Sequence, residues 1–379
     1  MPEIEKPRLI ELEVLRGFLA CWVVGFHIVT ISALPVPGAI ARLIDGAHAV
    51  NTFIILSGFV ICTLRLNKAE AYRIFLFRRF FRLFPAYAVA VTAAIALAFL
   101  GVMDKNFADK DLPLLLLAHA TMLQGILPNW IISDPLHAFL YPTWSLTLEW
   151  QFYLIAPVMI AATTKSRFWF FVFTVLVLVN TRLSPPYIDA FGLTRSFILS
   201  ALPFFWIGIA SALIFDRISR PFPPIAGWTA MAVAGALIIL LPIEPNIGTI
   251  VWGIVFAAII LRRADPDGRF GRGLDWLLAR KSLTWLGLIS YSIYLIHEPI
   301  IWTVKWLVLQ ADPAASPKTI FVAALFTVPP LTLGLSHLIY RHVERPSMRW
   351  AARVAARHGQ SSAAPQVARL APEGPSLKQ

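Results

Sequence analysis

The sequence predicts an all-α integral membrane protein, a polytopic bundle of about ten transmembrane helices with both termini in the cytoplasm. Three observations carry that prediction. Hydrophobic residues make up 58% of the 379 positions and charged residues only 14%, where ordinary soluble domains carry about 25% charged residues. The charges gather in short basic clusters between long apolar runs. Those clusters are unevenly shared between alternate loops, as the positive-inside rule requires.

The apolar runs place spans at 12–33, 48–64, 83–102, 144–163, 168–181, 197–215, 225–242, 247–262, 283–308 and 319–340. The fifth is short for a span of about 20 residues. The stretch 112–127 is also apolar, but it ends at Pro128 and is shorter still. Charge decides its course. If it does not cross, 26 of the 33 Lys and Arg residues fall on one side, which is then cytoplasmic. If it crosses, every later loop reverses and the bias disappears. It is therefore expected to be a re-entrant or interfacial helix on the outer side. The first run, 17–34, is long and lacks a small-residue cleavage site, so it is expected to remain as the first span. The chain divides into one transmembrane domain over 1–350 and an Ala-, Arg-, Ser- and Pro-rich tail over 351–379, expected to be disordered and cytoplasmic. The expected location is a bacterial inner membrane, crossed many times.

A net charge of +12 would suggest nucleic acid in a soluble protein. Here the basic residues border apolar runs, where they set orientation and meet anionic lipid headgroups. No nucleic acid partner is expected. The two cysteines, Cys21 and Cys62, both lie in apolar runs and offer neither a disulfide framework nor a zinc-binding spacing. No metal site is expected.

Ionisable groups inside spans are costly, and each is a functional candidate. Arg16 and His27 are eleven residues apart. That is almost three helical turns, so they share one face roughly 16 Å apart along the axis. The face offers a cation for a phosphate-bearing donor and an imidazole for proton transfer. The plainer reading is a snorkelling Arg16 and a His27 bonded to a neighbouring carbonyl. In NTFIILSGF, Asn51 and Ser57 are uncharged hydrogen-bonding groups beside the small Gly58. Helix packing explains them as readily as acceptor binding does. In YRIFLFRRFFRLFPAY, Arg78 and Arg82 are four apart, with Arg79 beside them. Guanidinium groups suit bidentate phosphate binding, and a positive-inside anchor accounts for the same residues.

The fourth span carries Ser145, Glu149 and Tyr153 at i, i+4 spacing, one polar stripe. A carboxylate at that depth needs a partner. A histidine is the economical one, so Glu149 is expected to orient His27 and steady its cation. A Glu149 kept neutral by burial is the alternative. In the ninth span, Tyr291, Tyr294 and His297 are spaced by three, with Glu298 and Pro299 following. That stripe is expected to bind acceptor or support the fourth span.

Together these segments resemble acyltransferase family 3, the membrane-bound O-acyltransferases that include O-antigen and nodulation-factor acetylases. The matching stretches are LRGFLACWVVGFH, FIILSGFVI, FRRFFRLFP, TWSLTLEWQFYL and SYSIYLIHEP, in that order, from about residue 12 to about residue 300. The resemblance implies a membrane acyltransferase that uses acyl-CoA, often acetyl-CoA, as co-substrate, with no permanently bound cofactor. It implies a surface polysaccharide, lipid-linked sugar or related glycan as acceptor. By position, His27 matches the family's essential histidine, Arg16 its paired arginine, Arg78 and Arg82 its Arg-x3-Arg motif, and Glu149 its acidic residue. The family's fused esterase-like domain is absent from these residues. The rival reading is a transporter or flippase for a lipid-linked sugar, against which the sequence shows no paired repeats or matching broken spans.

Topology reporters fused at positions 70, 270 and 365 are expected to read cytoplasmic, and those at 40, 115, 135 and 312 external. A cytoplasmic signal at 135 would show that 112–127 crosses.

Overall fold

The structure, a computed structural model, describes residues 9–67, 70–104, 111–135, 137–217, 247–264, 268–278 and 280–367. All regular structure among them is helical: α1 (Ile10–Ile31), α2 (Gly38–Ile44), α3 (Gly46–Asn67), α4 (Tyr72–Phe99), α5 (Leu112–Ala120), α6 (Thr143–Lys165), α7 (Arg167–Ala190), α8 (Ile198–Arg217), α9 (Ile247–Ala264), α10 (Arg269–Leu278), α11 (Lys281–Ala311), α12 (Pro317–Ile339) and α13 (Arg345–Val367). Seven helical stretches among the described residues are long and apolar enough to cross a membrane: α1, α2 with α3, α4, α6, α7, α8, and α12 with α13. The protein is a multi-pass membrane protein. Helices α9 and α11 occupy two further expected span positions, and the expected span at 225–242 lies outside the described residues.

Three expectations change. The Arg-rich stretch expected between the spans at 48–64 and 83–102 is the first part of α4, which runs unbroken for 28 residues through Pro85. It therefore delivers its arginines on the same rigid element as the span. The tail expected to be disordered from 351 begins as helix, because α13 continues to Val367. Trp350 packs its ring against Phe77 and Phe81, and Ala351 is buried, which anchors that helix on α4. A five-residue π turn, Tyr340–Glu344, joins α12 to α13 where the sequence suggested a helix end.

The stretch 112–127 forms only the nine-residue α5, capped at its start by the Asp111 side chain, and a 3-10 turn at Gln124–Ile126. Nine residues span about 14 Å, half of a hydrocarbon core of about 30 Å. It does not cross as a helix. Buried polar bonds fix its return. His119 and Gln124 both bond the Tyr87 hydroxyl, and Gln124 also donates to the Thr143 carbonyl at the start of α6.

Glycines set the two tightest helix pairs. A Cβ on Gly208 of α8 would run into the Ile55 carbonyl of α3, and one on Gly58 of α3 into the Phe205 carbonyl of α8. A Cβ on Gly287 of α11 would collide with the Glu13 carbonyl of α1, while Gly17 of α1 faces Leu286 and the Gly287 backbone. Membrane helices gain no hydrophobic drive from association, so such close backbone approach supplies the packing energy. At the same end of α1, Arg262 binds Glu11 at 2.6 Å and Asp275 at 2.7 Å, tying α1, α9 and α10 together.

Gly287→Ala is expected to destabilise the protein by about 1–3 kcal/mol, the usual cost of overpacking. The readout is a lower unfolding midpoint in mild detergent. Gly25→Ala, where an added Cβ meets nothing within 4 Å, is expected to hold or raise the midpoint.

Candidate functional site

The α1–α11 contact determines where the site forms. His27 lies ten residues beyond Gly17, and His297 ten beyond Gly287. Both helices run the same way from that contact, and ten residues carry each about 15 Å along its axis. There the imidazoles of His27 and His297 lie parallel, 8° between planes, with His27 Nδ1 and His297 Nε2 2.6 Å apart. His297 is fully buried and His27 nearly so. The other nitrogen of His297, Nδ1, is 3.1 Å from the Ile293 carbonyl oxygen.

That carbonyl can only accept, so His297 Nδ1 carries a proton. In a neutral pair, His297 Nε2 is then the acceptor and His27 Nδ1 the donor. The remaining nitrogen, His27 Nε2, holds the basic lone pair. The Tyr141 ring lies at 81° to the His27 ring with centroids 5.5 Å apart. Glu298, next to His297, accepts from the Tyr141 backbone N–H at 2.6 Å and from Trp302 Nε1 at 3.3 Å. Glu298 thus fastens the loop before α6 to α11.

Closer to the N-terminal end of α1 lies a cavity of about 70 Å³, lined by Arg16, Ser57, Arg82, Ser145, Glu149 and Tyr294 among others. That is room for about two or three waters. Glu149 accepts from the Tyr153 hydroxyl and from Ser57 Oγ at 3.4 Å. Arg79 lies over the Phe75 and Tyr153 rings at 5.7 and 5.8 Å, a cation–π clamp. Its Nε is buried without a hydrogen-bond partner among the described residues. Tyr294 links the two centres. Its hydroxyl is 2.7 Å from Ser145 Oγ, and its ring centroid is 6.2 Å from that of His297.

The expected pairing of Glu149 with His27 is corrected by this geometry. His297 takes the place at His27 Nδ1, because the glycine contact brings α11 against that face of α1. Glu149 instead sits on the cavity wall as a counter-charge near Arg16 and Arg82. The arginine stripe divides too. Arg82 lines the cavity, whereas Arg78 is held by Glu70 at 2.7 Å on a partly exposed edge. Tyr291 donates to the Leu83 carbonyl at 2.7 Å, holding α11 against α4. Asn51 is half-buried on α3 and does not line the cavity.

Two residues escaped sequence reading. Glu344 is buried at 2% exposure and accepts from Ser292 Oγ at 3.0 Å. It stands beyond the expected end of the last span, so no span-based search reaches it. Tyr141 lies in a loop without periodicity, where only the adjoining Pro-Thr-Trp-Ser start of α6 hinted at importance.

Residues 9–341 match the family profile described as an acyltransferase domain. The chain is 25% identical over 340 residues to the peptidoglycan O-acetyltransferase OatA of Listeria monocytogenes, covering 79% of this chain and 51% of that protein. This chain therefore spans about half the length of that relative. It is also 25% identical over 385 residues to the acyltransferase MdmB of Streptomyces mycarofaciens, covering 90% of this chain and 92% of that protein. No solved structure matches the chain.

Nitrogen-15 spectra of His-labelled protein in lipid at neutral pH are expected to show Nδ1 protonated on both His27 and His297 and Nε2 of His27 unprotonated. A protonated Nε2 with an unprotonated Nδ1 on His27 would overturn the tautomer assignment.

Proposed function

Because this chain belongs to the acyltransferase-domain family, we propose that it is a bacterial inner-membrane O-acyltransferase of about ten spans. It moves an acyl group, acetyl in our reading, from cytoplasmic acyl-CoA to a hydroxyl of a surface polysaccharide, lipid-linked sugar or related glycan. The single observation that carries this reading is the proton order of the histidine pair, which leaves a basic nitrogen on His27. The name of the Listeria relative supports a glycan acceptor.

In this mechanism the donor enters from the cytoplasmic side. Arg78 meets its phosphates at the rim, and Arg16, Arg79 and Arg82 supply positive charge further in. A buried guanidinium nitrogen without a partner, as on Arg79, suits an incoming anion. Glu149 and Glu344 keep this cluster from repelling itself apart when no donor is present. The acceptor hydroxyl gives its proton to His27 Nε2 as its oxygen attacks the thioester carbonyl. Charge on the resulting imidazolium passes through the Nδ1–H bond to His297, which is steadied by the Ile293 carbonyl. The Tyr294–Ser145 hydroxyl pair offers hydrogen bonds to the oxyanion. Collapse of the tetrahedral intermediate breaks the carbon–sulfur bond, and the thiolate leaves as CoA-SH with the proton from His27. Proton-coupled transporters also use ordered histidines; the acyltransferase reading is favoured over a transporter by the match to an acyltransferase domain.

The test is purified protein in lipid, labelled acetyl-CoA and a crude glycan extract. Label is expected to move to glycan with wild type. His27→Ala is expected to reduce the rate by about 10²–10⁴, the range of a general base. His297→Ala is expected to cost most of the same factor, and the double variant little more, because residues acting as a unit are non-additive. Independent, multiplying losses would break the relay. Label transfer that survives in His27→Ala would sink the mechanism.

Arg82→Ala is expected to raise the apparent KM for acetyl-CoA by roughly 10-fold or more, the loss of a hydrogen bond to a charged group. Arg78→Ala is expected to raise it less, since Arg78 is partly exposed and already paired. Equal effects would return Arg78 to the inner cluster.

A further inference from the structure

The loop between the 3-10 turn and α6 brings a second pair of rings to the histidine pair. His137 and Tyr141 stack face to face, with centroids 4.3 Å apart and 15° between planes. Tyr141 is in turn the ring set against His27. The slab is built, not incidental. His137 Nδ1 is held by Asp134 Oδ1 at 2.7 Å. Asp134 itself adopts φ +46°, a left-handed conformation that a non-glycine residue holds only when its surroundings fix it. At the other end, the Tyr141 backbone N–H is fixed on Glu298. The pair remains open to a ligand: Tyr141 is 40% exposed and the His137 side chain 36%.

The geometry points to a pyranose-binding platform formed by Tyr141 and His137 beside His27, a site for the sugar ring of the acceptor. This proposal rests on the acyltransferase reading and names the acceptor's recognition element within it. One face of a pyranose presents several C–H bonds with slight positive charge, and an aromatic face is negative. Stacked face to face, the two rings offer a sugar the outer face of one ring, about the width of a pyranose. Asp134, an acceptor-only carboxylate at the slab's edge, suits the equatorial hydroxyls of that ring. Binding there brings a sugar hydroxyl towards His27, on the side of the bundle away from the arginines.

An ordinary interfacial aromatic belt is the competing explanation for exposed Tyr and His rings. It does not account for the arrangement here. Belt residues lie on the lipid-facing perimeter, whereas Tyr141 contacts a buried catalytic candidate in the bundle interior. Nor does a lipid-facing position suit the Asp134 carboxylate that fixes His137.

The test is direct binding, independent of turnover. Full-length protein in lipid nanodiscs is exposed to millimolar methyl β-glucopyranoside, and saturation-transfer NMR reads contact with the sugar C–H groups. Glycerol, which has hydroxyls but no ring face, is the control. Wild type and Tyr141→Phe are expected to give equal sugar signals, because Phe keeps the ring. Tyr141→Ala is expected to abolish the signal and His137→Ala to weaken it at least five-fold, while glycerol gives none in any variant. His137→Ala leaves the Tyr141–Glu298 bond intact, so it tests the platform even if Tyr141→Ala misfolds. Equal signals in all four proteins, no sugar signal in wild type, or a glycerol signal as strong as the sugar's would each overturn the platform. Sugar binding lost on schedule in a protein that moves no acetyl label would instead keep the platform and refute the acyltransferase reading.

Discussion

Everything at the candidate site depends on the contact of α1 with α11 at Gly17 and Gly287. A Cβ at Gly287 would run into the Glu13 carbonyl, and one at Gly17 would press on Leu286 and the Gly287 backbone, so the two backbones approach unusually closely. Parallel helices so locked keep their register, and ten residues on, His27 and His297 arrive within hydrogen-bonding distance. The site is thus held by two rigid helices and not by loops. In the proposed reaction small errors in placement would be costly, and this rigidity would hold the two imidazoles in register.

A second constraint is electrostatic. Arg16, Arg79 and Arg82 stand together in an apolar bundle, where charge without compensation is expensive. Glu149 and Glu344 provide it from different directions, one from α6 and one from the π turn before α13. Glu344 also accepts from Ser292 of α11, while Ser347 donates to the Phe81 carbonyl of α4 at 3.0 Å. The segment after α12 is therefore fastened to both α11 and α4. A π turn widens the helix by one residue and is frequent at functional sites. Here it aims a carboxylate inward from a helix that otherwise faces outward.

The two centres are chemically distinct and joined by Tyr294. One end gathers cations around a small cavity; the other holds the paired imidazoles, aromatic rings and a fastened loop. In the proposed reaction this division would receive a charged donor at one end and a neutral acceptor at the other. It also explains why the polar stripe of α6 serves both halves: Ser145 meets Tyr294, while Glu149 meets Tyr153 and Ser57.

The sequence by itself determined the helical membrane class, because uncharged runs of span length have no other stable form in lipid. Its Lys and Arg distribution gave the expectation that 112–127 does not cross, and the sequence singled out Arg16, His27, Glu149, His297 and Glu298, since ionisable groups inside apolar runs are conspicuous. Helical period placed Arg16 and His27 on one face without any structure. What only the tertiary structure decided is which helix that face meets. Period fixes positions on a single helix, but partner choice depends on where backbones can approach, and two glycines among twenty gave no advance sign of doing so. That contact exchanged Glu149 for His297 as the neighbour of His27. The loop residue Tyr141 and the π-turn residue Glu344 were invisible for a related reason: neither lies in a periodic element, and their place in space is set by contacts made from distant parts of the chain.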